Sequence, residues 1–468
     1  MGAADVVIVG GGLAGLTAAA RASELGCSVI VLEAGGGAHY PCNTRYSGGV
    51  FHLAFTDLAA PPDVLRAAID ATLRGTGDAR WADLLAQNAG RFVDWLREGG
   101  TVFQKTAVAW QSHILSPSRA IVAGQDWQGR GPDVLLNRLG EAIRARGGRI
   151  LDATRGRRLL MDGTRCIGIE ATSRGKAIRL DARNVVLADG GFQANLERLG
   201  CHIAPAPAAV KQRGGASGLG DGLAMALEAG AAISELDRFY GHLLCRDAMT
   251  NDRVWPYPEL DALALAGVVV DASGRRITDE GVGGVALANA IAAMDDPLCA
   301  TVVFDARIWD GPGASARIAA NPALADAGGT IHRADTLAAL AAKAGIDPAA
   351  LGRTVAAHNA ALAGASMAQL TPPRTTDRHQ PMPIATAPFM AIPLCAGITY
   401  TMGGIRVDDA CRMERAAGGV FEGLYAAGST TGGFEGGPHV AYVGGLTRAG
   451  VQGLLAAEHI AAASRGGT

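Results

Sequence analysis

The chain has 468 residues, of which 49% are hydrophobic and 18% charged. That length is too great for one simple core, so two domains are expected. With 42 Lys+Arg against 44 Asp+Glu the net charge is −2 and no basic run stands out, which argues against nucleic acid or an anionic membrane surface as the main partner.

The opening "MGAADVVIVGGG" enters a strand at once, with no basic and then apolar leader, so no export signal is expected. No stretch reaches the roughly 18 uninterrupted apolar residues of a membrane span. The 65 glycines have no collagen-like period and read as punctuation in an α/β enzyme. The eight cysteines form neither a CxxC pair nor a CxxCH haem site, so reduced cytoplasmic thiols and no metal site are expected.

Residues 5–34 carry the strongest local signal. A buried apolar strand leads into Gly10-x-Gly12-x-x-Gly15, an alanine-rich helix and a second strand ending at Glu33 and Ala34. Glycines at that spacing allow a tight turn and let backbone amides approach a pyrophosphate at the helix N-terminus; the acid about twenty residues on accepts from ribose hydroxyls. The alternative is a glycine-rich turn with no ligand. After Glu33 the chain runs into "GGGAHYPCNTRYSGGVF", a small, polar loop ill suited to a nicotinamide site.

Within that loop, Asn43-Thr44-Arg45-Tyr46-Ser47-Gly48-Gly49 resembles the flavin-contacting segment of the fumarate reductase/succinate dehydrogenase flavoprotein superfamily. Further resemblances follow in the family's order. They are "VVLADGGFQANLE" (185–197, with Asp189 and Gly190), "GLGDGLAMALEAGA" (218–231, with Asp221), "VVVDASGRRITDEG" (268–281) and "GLYAAGSTTGG" (423–433, with Gly428 and Ser429). The resemblance implies a Rossmann-type α/β FAD-binding domain built from residues 1–232 and 385–468, with an inserted α+β capping domain at 233–384. Helical spacing at 335–364 with a proline break, and a Pro/Thr/Arg-rich stretch at 365–388, agree with that division. Family members that attach FAD covalently use a histidine in this loop. Asn43 and Thr44 stand at the matching positions, so non-covalent FAD is expected; His39 and Cys42 are the nearest alternatives.

Fumarate reductases hold a dicarboxylate with two histidines and two arginines, and the resemblance can be followed residue by residue. His242 in "FYGHLL" matches the first histidine. Tyr400 stands where the second would precede "TMGG", Tyr442 in "HVAYVGGLT" replaces one arginine, and Gly284 replaces the acid arginine. The two tyrosines point instead towards the 3-ketosteroid Δ1-dehydrogenases, and Tyr442-Val-Gly444-Gly445 followed by Leu446-Thr447 towards the tricarballylate dehydrogenase type. The implied reaction makes or removes a C=C bond beside a carbonyl or carboxyl group. Hydride passes to or from flavin N5, and Tyr442 and Tyr400 handle the proton and the carbonyl, assisted by the Gly444 and Gly445 amides. A phenol ionises near pH 10, so a tyrosine base needs a neighbouring donor or cation, for which His242, Arg246 and Arg253 are candidates.

Each of these residues also has a purely structural reading. Both tyrosines can be packing residues with satisfied hydroxyls. His439 near the closing glycines, and Trp255 and Tyr257 in "WPYPELD", are candidate substrate-wall residues, and Arg45 a candidate anion holder. Arg276 and Glu280 read as a structural pair. The expected partners are a small ketone or carboxylic acid and an unidentified electron acceptor or donor. The second reading is an ene-reductase of an unsaturated acid, with Arg45, Arg246 or Arg448 in place of the missing arginines. The third is a flavin subunit with no substrate of its own.

Overall fold

The computed structural model describes residues 4–119, 127–315 and 319–466. Its first sheet begins with β1 (Ala4–Val9), followed by α1 (Leu13–Glu24) and β2 (Val29–Leu32). The sheet continues through β3 (Arg149–Leu151) and the long meander β4 (Thr154–Asp162), β5 (Arg165–Ser173) and β6 (Lys176–Leu187). β1 lies between β2 and β6, parallel to both. The Val/Ile-rich stretch Val6–Val9 is buried, the pattern of a strand covered on both faces.

The second sheet comprises β7 (Lys211–Gln212), β8 (Phe239–Cys245), β9 (Val268–Val270), β10 (Thr301–Asp305), β11 (His332–Ala334) and β12 (Phe389–Thr401). β12 is its hub: it pairs with β7, β8, β10 and β11. It lies C-terminal to residue 385, yet pairs wholly within this sheet. The chain then returns to the first sheet through β13 (Arg412–Glu414) and β14 (Val420–Ala426), the latter parallel to β6. A final helix, α2 (Gly445–Gly466), packs on α1. That packing is close because Gly453 has no side chain; a Cβ there would lie 2.4 Å from Ala14 O.

The helical spacing at 335–364 corresponds to two helices, Leu337–Ala344 and Pro348–Ala363, divided where the proline was expected to break them. Glu280 is buried against Arg276 and Arg374, as the structural reading expected. Among the described residues no helix is long and apolar enough to cross a membrane.

Candidate active site

The glycine turn after β1 opens on a narrow cleft lined by Gly10 to Ala14, Glu33, Asn43, Thr44, Asp189, Gly190, Gly428 and Ser429 among others. Gly10 has φ +106°, and a Cβ there would lie 2.4 Å from Ala188 O, so only glycine fits. A Cβ on Gly15 would lie 2.0 Å from Gly10 O, which brings helix and turn together. Gly12 faces open space, with Thr44 Oγ1 the nearest atom at 3.7 Å from an added Cβ. The buried Glu33 accepts from the Gly11 amide at 2.7 Å and the Gly35 amide at 2.6 Å, and burial raises its ionisation.

Asp189 accepts from the Gly222 amide at 2.7 Å, while its Oδ1 is buried without a partner. Burial first, and then the nearby Asp221 charge, push its carboxyl up to about 6. Bare glycines, a helix N-terminus and polar groups aimed into a cleft fit a dinucleotide. Asp221 pairs with Arg155 at 2.6 Å and Thr447 donates to His52 O at 2.9 Å, so neither side chain lines the cleft. Ala34 is likewise outside it, and Leu446 lines the larger cavity instead.

Asn43 lines both this cleft and a second cavity of about 550 Å³. Its side chain is fully engaged, donating to Thr399 O at 2.8 Å and accepting from the Gly215 amide at 2.7 Å. Ser47, Gly48 and Gly49 form one wall, as does the aromatic group His52, Phe55 and Trp110. The polar lining includes Tyr240, His242, Tyr257, His439 and Tyr442 with Arg213, Glu259, Asp261, Arg378 and His379.

A connected polar chain runs along this lining. His242 Nε2 is 2.9 Å from Tyr240 Oη, and its Nδ1 is 2.5 Å from Asp261 Oδ2. Asp261 also accepts from the Leu243 amide at 2.8 Å, which fixes the carboxylate. Glu259 lies 3.6 Å from His242 Nε2 and binds Arg213 at 2.6 Å. The Tyr240 ring stacks on that of Tyr442 with centroids 4.0 Å apart. Burial raises the ionisation of Tyr240 well above that of an ordinary phenol, and Tyr442 moves the same way for the same reason.

The structure thus brings Tyr442, His242, His439 and Tyr257 together, and adds Tyr240, Arg213, Glu259 and Asp261, which sequence reasoning missed. A signal for Tyr240 was present: Tyr-x-His in a strand puts both side chains on one face. Several expected residues lie elsewhere. Arg45 is buried in an ion pair with Asp133 and does not reach the cavity, because its loop folds back on the helix Gly131–Ala145. Trp255 is buried and donates to Gln212 O at 2.7 Å, so Tyr257 rather than Trp255 faces the cavity.

Tyr400 lies behind the lining and donates to the buried Glu435 at 2.8 Å. The Gly444 amide also binds Glu435, and the Gly445 amide donates to Tyr442 Oη at 3.3 Å, so neither amide is free to polarise a carbonyl in this arrangement. Arg253 binds Asp326 O, and neither it nor Arg246 lines the cavity. The cations beside the tyrosines are Arg213 and Arg448 instead, and Arg448 is buried 3.5 Å from Glu435. Gly284 faces Asp261, and a Cβ there would lie 2.1 Å from Asp261 Cγ. The position where the resemblance expects the acid arginine is therefore filled by a carboxyl group.

The family model described as "FAD binding domain" matches residues 5–441. The chain is 25% identical to the NADH:acrylate oxidoreductase of Vibrio harveyi, over 92% of this chain and 48% of that one, so it spans about half that relative's length. It is 25% identical to the fumarate reductase (cytochrome) of Shewanella frigidimarina over 92% of this chain and 72% of that protein. With a 3-oxosteroid 1-dehydrogenase of Mycobacterium tuberculosis it shares 30% identity over 60% of this chain and 53% of the relative. The fold is that of the 3-ketosteroid delta1-dehydrogenase of Sterolibacterium denitrificans, with TM-score 0.74, 20% identity and coverage of 99% and 100% of the two chains.

Proposed function

The chain belongs to the FAD binding domain family and FAD is its cofactor, and on that premise we propose an oxidoreductase that makes or removes a carbon–carbon double bond beside a carbonyl or carboxyl group. The observation that carries this reading is the stacked pair Tyr240 and Tyr442 in a cavity that shares Asn43 with the nucleotide cleft. When bound, FAD supplies the ring that accepts or donates hydride. Gly10, Gly12, Glu33, Thr44, Asp189 and Ser429 would hold its nucleotide part, and Asn43 and Ser47 to Gly49 the flavin end. Asn43, with both amide atoms engaged, offers no nucleophile, which supports non-covalent attachment.

Two protonated phenols in a largely apolar cavity suit a substrate carbonyl, whose oxygen gathers negative charge as the adjacent C–H forms or breaks. Tyr442, whose oxygen already accepts from Gly445, keeps its proton for that oxygen. The aromatic wall of His52, Phe55, Trp110 and Tyr257 supports a cyclic or otherwise apolar ketone. One observation favours an unsaturated acid as the second reading: Arg378 lines the cavity rim, bound only to Ala71 O among the described residues. The eight free cysteines support a cytoplasmic location, and the two sheets support a two-domain division with β7 and β12 crossing into the second. Anaerobic mixing of the oxidised protein with saturated ketones and with succinate tests the proposal: a ketone is expected to bleach the flavin band. Bleaching by succinate alone would replace the first reading with the second.

A further inference from the structure

We infer that Tyr240 is the group that exchanges a proton with the substrate carbon, and that His242 and Asp261 form the relay that resupplies or removes that proton. The inference rests on the functional reading above, but it assigns the proton step to residues which that reading leaves open. The geometry separates three phenols. Tyr400 is outside the cavity with its proton committed to Glu435. Tyr442 has the Gly445 amide on its oxygen and no imidazole partner among its described hydrogen bonds. Tyr240 alone of the three touches a ring nitrogen, His242 Nε2, and through it a carboxylate.

A buried phenol is a poor base by itself, because burial disfavours its phenolate, and for Tyr240 burial outweighs the nearby Arg213 charge. An imidazole 2.9 Å away removes that difficulty, since one proton leaves the tyrosine oxygen as another arrives. In the reducing direction the Tyr240 O–H bond breaks as a C–H bond forms at the α-carbon. The tyrosine oxygen then takes the Nε2 proton of the imidazolium, and Asp261 keeps Nδ1–H in place. Dehydrogenation reverses each transfer. The relay moves protons only; the hydride is exchanged with the flavin, so electrons balance.

Asp261 and Glu259 have side-chain exposures of 19% and 20%, which connects the relay to water. The titratable groups facing it are Glu259 and Arg213 on one side, Tyr442, Tyr400 and Tyr257 around Tyr240, and His379 near Asp261. Gly284 leaves the room that Asp261 fills, so the acid at the end of the relay and the absent side chain form one arrangement.

The test is anaerobic reoxidation of the dithionite-reduced holoenzyme by 2-cyclohexen-1-one and by fumarate, in H₂O and D₂O across pH. Wild type is compared with Tyr240→Phe, His242→Gln and Asp261→Asn, each first checked for flavin content. Loss of a general acid is expected to slow Tyr240→Phe by about 100-fold or more, and the other two by roughly 10-fold or more. The two relay variants should also show a displaced pH profile and an altered solvent isotope effect, which a purely structural role would leave in place. Asp261→Asn, at the cavity edge, keeps the test open if Tyr240→Phe does not fold. Rates within about threefold of wild type in Tyr240→Phe, or in Asp261→Asn with an unchanged pH profile, overturn the relay while the functional reading stands. Reoxidation of the wild type by neither acceptor overturns that reading and the relay with it.

Discussion

Tyr400 donates its hydroxyl proton to Glu435 at 2.8 Å, and this bond commits the phenol to a buried carboxylate rather than to the cavity. The same carboxylate accepts from the Val443 amide at 2.9 Å and the Gly444 amide at 3.1 Å and lies 3.5 Å from Arg448. One buried acid therefore organises the turn that presents Tyr442. Glu435→Ala should destabilise the protein by about 3–5 kcal/mol, because it leaves the buried Arg448 charge uncompensated. Tyr400→Phe, which removes one hydrogen bond, should cost about 1 kcal/mol. Denaturant unfolding of the holoprotein measures both, and equal effects would remove Glu435 from this organising role.

Gly284→Ala should reproduce Asp261→Asn. A Cβ at position 284 would come 2.1 Å from Asp261 Cγ, so the carboxylate must leave His242. The expected result is a folded, yellow protein with reoxidation slowed about 10-fold or more. A wild-type rate would mean that Asp261 is not needed where it stands.

Asp189 gives a pH dependence whose sign is fixed. Its carboxyl titrates near 6 in the folded apoprotein against 3.8 ordinarily, so the native state binds the proton more tightly than the unfolded state. The stability it contributes is fully present below the ordinary value and is lost as pH rises through the folded one. The thermal midpoint of the apoprotein should therefore carry a falling component between about pH 4 and 6 that Asp189→Asn lacks. Parallel pH profiles for the two proteins would contradict this account.

Acid precipitation of the holoprotein should leave a colourless pellet and a yellow supernatant. Cys42 is buried with its thiol pushed up to about 11, and His39 is tied to Asp133, so neither is poised to bond the flavin. A yellow pellet would reverse the non-covalent assignment.

The nucleotide cleft was legible in the sequence because it is local: one strand, one glycine turn and one helix bring Gly10, Gly12, Gly15 and Glu33 together within a single βαβ unit. The returning stretches around Asp189 and Gly428 were found by their resemblance, and parallel pairing of β6 and β14 puts both at the same sheet end. The chemistry of the larger cavity was only half legible. Tyr442, His242, Tyr257 and His439 were named from motifs, but the partners that decide what each can do were not. Asp261 reaches His242 across a loop, Glu435 captures Tyr400 from another segment, and Asp133 captures Arg45 from a distant helix. A side chain's identity is written in the sequence. Its freedom to act depends on which buried group claims its hydrogen bonds, and low-dielectric surroundings make each such claim costly to break. Those pairings are settled by distances of a few ångströms between segments far apart in the chain, and only the tertiary structure decided them.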